Sequence, residues 1–148
     1  MIKSRGRKNV YWGAFILEWF KYLQDNDLTS SDFKVLFYLC EKMNLHENKA
    51  YLRQKMIAEE LKMDKGNVSK CIKRLCEKQF IAKMDNGFMI NPHLFYVGKR
   101  HPVDRWELRE TFDQLLEEKN LLPLFELNEE DSCLEYRKNR VDQEGFGF

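Results

Sequence analysis

The stretch MIAEELKMDKGNVSKCIKRL, residues 56–75, constrains the fold more than any other part of this 148-residue chain. Apolar residues recur at helical spacing in two phrases, with Ile57 and Leu61 before the interruption KMDKGN and Val68, Ile72 and Leu75 after it. This spacing predicts helices over about 53–62 and 65–79, joined by a turn. Small Ala58 lets one helix cross the other closely, and Val68, seven residues beyond Leu61, can bury against the first helix. With Val68 at the centre of the buried side, a step of about 100° per residue puts Cys71, Ile72 and Leu75 inward. The same step puts Asn67, Ser69, Lys70, Lys73 and Arg74 outward, a side that is basic and rich in hydrogen-bond donors. Asp64 is placed to cap the second helix, whose leading residues are Lys65, Gly66 and Asn67.

This succession resembles the helix-turn-helix motif, in which the second helix enters the DNA major groove. Lys62 stands near the position where such turns often hold glycine, at a cost of about 1 kcal/mol if the backbone is left-handed there. Directly afterwards FIAKMDNGFMINP reads as a hairpin, with Asn86-Gly87 as a two-residue turn, and NLHENKAYL before the motif holds a short strand. The order helix, strand, helix, recognition helix, hairpin is that of a winged helix-turn-helix domain. The expected fold class is therefore mainly α with a small β-hairpin, flanked by N-terminal and C-terminal helices. The wing offers Lys83 and Asn86 to DNA, although a hairpin that merely packs explains them equally well.

Charge supports a polyanion partner. The net charge of +1 hides a split: residues 1–100 hold 19 Lys and Arg against 11 Asp and Glu, and residues 101–148 hold 6 against 13. Residues 1–9 form a basic arm, in which Arg5 and Arg7 either follow a groove or its phosphates or are simply solvated. Residues 10–100 form the winged domain, which opens with an aromatic helix over about 10–24 carrying Trp12, Phe15, Ile16, Trp19, Phe20 and Leu23. Thr29 with Asp32 fits the capping box of the next helix. Residues 101–122 form a C-terminal helix, and 123–148 an acidic, loosely ordered tail. Trp12, Phe15, Trp19, Leu108, Phe112 and Leu116 offer more apolar helical surface than a core of this size needs, which predicts a homodimer on double-stranded DNA.

Other function classes find little support. No run approaches the roughly 20 apolar residues of a membrane span, and Glu18 interrupts the only signal-like N-terminus, so a cytoplasmic location without membrane contact is expected. Cys40, Cys71, Cys76 and Cys133 contain no CxxC pair and read as reduced thiols. His46, His93 and His101 are isolated. Tyr96 between His93 and His101 admits a nicking tyrosine with a metal, but no local ligand pair stands there, so neither an enzyme nor a cofactor is expected.

The stretch LCEKQFIAKMDNGFMINPHLFYVGKR, residues 75–100, is similar to the RepL family of replication proteins encoded by small bacterial plasmids. The particular signature is Met89, Ile90, Asn91 and Pro92, followed by Leu94, Phe95 and Gly98. The resemblance covers about residues 10–100 and implies a plasmid or phage initiator that binds an origin and recruits host replication proteins. Two alternatives stay open on the residues alone: a regulator that binds an operator through the same surface, and a protein-interaction adaptor whose lysines are only solvated.

Overall fold

A computed structural model of the chain describes residues 12–24, 26–44, 46–97 and 101–137. The arm residues Arg5 and Arg7, Gly98 of the signature and the last eleven residues lie outside the described residues. In chain order the elements are β1 (Gly13–Phe15), α1 (Trp19–Leu23), α2 (Ser30–Lys42), β2 (Lys49–Ala50), α3 (Gln54–Leu61) and α4 (Lys65–Glu77). These are followed by β3 (Ile81–Met84), β4 (Gly87–Ile90), β5 (Phe95–Val97), α5 (Pro102–Glu118), β6 (Phe125–Asn128) and β7 (Cys133–Tyr136).

The expectation of a mainly α winged helix-turn-helix domain with one small hairpin is overturned. Among the described residues five helices share the chain with seven strands in three sheets, at 46% helix and 20% strand. The central sheet has the order β2-β4-β3, and two further antiparallel pairs, β1-β5 and β6-β7, flank it. Non-local pairing is the reason. Gly13, Ala14 and Phe15 pair with Val97, Tyr96 and Phe95, so the start of the expected aromatic helix is drawn into a strand and only Trp19–Leu23 stays helical. The Phe95 ring lies over Gly13 where any Cβ would collide, which is why a glycine stands there.

The central sheet is covered on both sides, and every residue of β4 is buried. Phe88 and Ile90 face a large core made with Val35, Leu36 and Leu39 of α2, Ile57 of α3 and Val68, Ile72 and Leu75 of α4. Met89 and Ala82 face a second cluster completed by Leu108, Phe112 and Leu116 of α5. Trp19, Leu108, Phe112 and Leu116 are thus buried inside the chain and cannot form the dimer surface expected of them; of that set only Trp12 and Phe15 are exposed.

Local signals were read more accurately. Thr29 Oγ1 accepts from the Asp32 N–H at 3.1 Å and Asp32 returns the bond to the Thr29 N–H at 2.9 Å, so the capping box exists and α2 begins where it says. The β3-β4 turn differs from expectation. Met84 pairs with Gly87, so the two turn residues are Asp85 and Asn86, and neither has positive φ. Gly87 is needed for another reason: a Cβ there would overlap the Ala50 carbonyl oxygen of β2.

Four buried polar side chains fasten the sheets together. Asn48, left-handed at φ 60°, donates Nδ2 to the Ile90 and Phe95 carbonyls at 3.0 and 2.7 Å and so ties β4 to β5. Asn91 donates to the Gln79 carbonyl at 2.7 Å and accepts from the His93 N–H at 2.9 Å. Gln79 in turn donates to the Leu122 carbonyl and accepts from the Leu124 N–H at 2.8 Å. His93 Nδ1 accepts from the Leu127 N–H at 2.9 Å, which leaves Nε2 as the donor to Asp113 Oδ1, also at 2.9 Å. These bonds hold residues 122–127 on the core, and β6-β7 forms within a stretch whose acidic composition reads as loosely ordered. Phe125 and Leu134 are buried there, beside Tyr22 and Phe80.

Candidate nucleic-acid interface

The α3–α4 pair carries the exposed basic surface. α3 ends on Lys62 at φ 55° and ψ 48°, and the Met63 N–H returns to the Ala58 carbonyl at 2.9 Å. The left-handed position is therefore real, and a lysine occupies it. α4 starts at Asp64, whose Oδ2 accepts from the Gly66 and Asn67 N–H groups at 3.0 and 3.3 Å. Those first-turn amides are consumed by the cap, so the helix presents side chains to a ligand in place of a bare N-terminus.

Of the residues placed outward by the sequence, Lys65, Gly66, Ser69, Lys70 and Lys73 are exposed and Asn67 is half-buried. The buried side of α4, made by Val68, Cys71, Ile72 and Leu75, points opposite Gly66, Lys70 and Lys73 at about 100° per residue. Lys70 and Lys73 consequently occupy the middle of the free face and not its margin. Neither is tied to a carboxylate among the described residues.

Arg74 is a different matter. Its Nε lies 2.8 and 3.1 Å from the two carboxylate oxygens of Asp32, a side chain with no exposure at all. Burial pushes the Asp32 carboxyl up, but the Arg74 hydrogen bond and the Thr29 N–H together pull it below its ordinary value. Arg74 is therefore tied to α2 through its Nε, a bond that fixes α4 against the N-terminus of α2 and competes with the base-reading role expected of it. Sequence spacing could not show this, because the partners are 42 residues apart.

Lys83 and Asn86 are both exposed on the β3-β4 hairpin. Lys83 lines a cleft of about 420 Å³ together with Arg53, Lys55 and Ser69, so the start of α3, one turn of α4 and the hairpin converge there. Asn86 stands across a neighbouring depression from the same Arg53 and Lys55. Arg53 and Lys55 are functional candidates that the sequence reading passed over. The available signal was that α3 begins with two cations, no side-chain cap and no acidic residue in its first turn.

Chemically, this surface offers ammonium and guanidinium groups, a hydroxyl and amides, with Asp85 the one carboxylate lining the cleft. Such a set of groups suits a polyanion. Desolvation pushes the thiols of half-buried Cys40 and buried Cys71 up to about 12 and about 11, which keeps them protonated near neutral pH. No helix among the described residues is long and apolar enough to cross a membrane.

Comparison with known proteins agrees with the signature around Asn91. No match was found among curated proteins or among solved structures. The family model for Firmicute plasmid replication protein (RepL) matches residues 7–138, which takes in the central sheet, α5 and the β6-β7 hairpin as well as the basic surface. The chain therefore belongs to the RepL family of plasmid replication proteins.

Proposed function

We propose that the protein binds double-stranded DNA at a plasmid origin and starts replication there as a non-enzymatic initiator. The observation that carries this reading is the free face of α4, where Lys70 and Lys73, unpaired among the described residues, stand between the directions of Ser69 and Asn67. A helix lodged in the major groove would bring Asn67, Ser69 and Lys70 to base edges, with each good bidentate contact worth about 1–3 kcal/mol of discrimination. Lys65, on the margin of that face, and Lys73, one turn beyond Lys70 along its middle, would neutralise phosphates. Arg53, Lys55 and Lys83 would hold the backbone beside the hairpin, positioning the protein without carrying sequence information.

The non-enzymatic part of the reading draws support from His93 and Tyr96, the pair nearest to a catalytic arrangement in the sequence. Both nitrogens of His93 are engaged inside the fold, and the Tyr96 ring is covered by the Arg105 guanidinium at 5.4 Å. The test is retention of fragments of the encoding plasmid by the purified full chain, followed by titration of the retained fragment at several salt concentrations. A retained fragment that maps to a self-sufficient origin supports the proposal. Retention of an operator-like site outside any origin, or of no fragment at low salt, contradicts it.

A further inference from the structure

A second cleft is lined by none of the residues of the basic surface. It is bounded by the first turns of α5 and by the β6-β7 hairpin and encloses about 580 Å³. Val103 and Trp106 form one wall and are each 54% exposed, an unusual state for two large apolar side chains one turn apart on a helix otherwise packed on a core. Leu127 of β6 forms part of the opposite wall.

The rim is acidic, and its cations are already used. Arg105 and Arg109 both bind Glu129, at 2.6 and 2.7 Å. Glu126 and Glu135 both bind Arg137, each at 2.6 Å. Glu130 and Asp131 form no ion pair among the described residues, and both are exposed on a turn fixed by Asn128 Oδ1, which accepts their two N–H groups. Exposed Glu110 lies on α5 between the directions of Val103 and Trp106. The cleft thus combines an apolar floor with an unbalanced negative rim, the complement of a basic segment that carries an apolar anchor.

We propose that this cleft docks a Lys- or Arg-rich segment of a partner protein, with one bulky aliphatic or aromatic side chain seated between Trp106 and Leu127. The partner would be held by aromatic burial at the centre and by Glu130 and Asp131 at the edge, with Arg109 and Glu129 forming a rigid base. The geometry permits this while DNA is bound. Lys119, at the far end of α5, donates its ammonium to the Lys83 carbonyl on the basic side, and Trp106 lies thirteen residues before it, about 20 Å away along the helix. The inference does not rest on the DNA-binding reading.

Its test uses the ¹⁵N-labelled full chain and three synthetic peptides: one basic with leucine and tryptophan anchors, one basic without them, and one acidic with the same anchors. The anchored basic peptide is expected to shift the Trp106 indole signal and the amides of residues 126–135 to saturation. Trp106→Ala should weaken it at least about tenfold, and the double variant Glu130→Gln/Asp131→Asn several-fold at low salt, both with unchanged DNA affinity. Equal binding of the unanchored basic peptide, preference for the acidic one, or no shift at millimolar peptide overturns the proposal. So does a concentration-dependent shift of the same signals without peptide, which would make a second copy of the chain the occupant.

Discussion

Replacing Arg74 with alanine distinguishes a structural role from a base-reading one. The Asp32 carboxylate is wholly buried and receives the Arg74 Nε at 2.8 and 3.1 Å and the Thr29 N–H at 2.9 Å. The variant leaves that charge with the Thr29 N–H and the Cys71 thiol as donors and with no cation. Breaking a fully buried pair costs about 3–5 kcal/mol. The Arg74 side chain is 33% exposed, so water already screens part of the attraction and about 2–3 kcal/mol is the better figure. In a chain of this length that lowers Tm by roughly 4–12 °C. The pH dependence follows from the sign of the shift. Asp32 is held below its ordinary value, so its stabilisation is complete above the unfolded carboxylate range and is lost as pH falls through about 4 toward the folded value. In the variant, burial dominates and protonation favours the folded state. The stability gap between the two proteins should therefore narrow as pH falls from about 7 to about 3.5. Urea denaturation followed by circular dichroism measures both effects. A gap under about 0.5 kcal/mol near neutrality, or one that does not shrink in acid, refutes the reasoning and returns Arg74 to the DNA-reading face.

Three other substitutions probe the scaffold by the same denaturation assay. Lys62→Gly should stabilise by about 0.5–1 kcal/mol, because the left-handed backbone at φ 55° penalises lysine and not glycine; destabilisation would show that the side chain contributes more than the strain costs. Gly87→Ala should cost about 3 kcal/mol, since its Cβ meets the Ala50 carbonyl oxygen across the β2-β4 pair, and a neutral result would mean that the pair slides freely. Asn91→Ala should cost about 3 kcal/mol by stranding the Gln79 carbonyl and the His93 N–H in the core; wild-type stability would mean that water replaces the amide.

The helices α2 to α5 are legible because each rests on information within a few residues: an apolar stripe, the Thr29–Asp32 cap and the Asp64 cap. What escaped the sequence depends on residues far apart. Trp12, Phe15, Trp19 and Phe20 keep helical spacing, yet pairing with β5 makes the first part a strand. The stripe Leu108, Phe112, Leu116 is visible in the sequence, but its partner, the back of β4, is not, and a buried face therefore reads as a dimer surface. Acidic composition conceals β6-β7 because three of its carboxylates, Glu126, Glu129 and Glu135, pair with Arg105, Arg109 and Arg137, which stand on α5 and at the end of β7. At the candidate site the local pattern points Ser69, Lys70 and Lys73 away from the core, and all three, with Lys65, are exposed. Arg53 and Lys55 became visible only when the fold set them beside Lys83.

The most direct measurement is the affinity of the full chain and its α4 variants for a retained origin duplex and for a scrambled duplex, each over a range of salt. Asn67→Ala and Lys70→Ala should lose about 1–3 kcal/mol on the origin duplex and little on the scrambled one. Lys73→Ala should weaken both and lower the salt slope by about one unit, as should Arg53→Ala and Lys83→Ala. If Asn67, Lys70 and Lys73 can all be replaced by alanine in one folded protein with cognate affinity and salt slope unchanged, α4 does not meet DNA and origin binding lies on another surface.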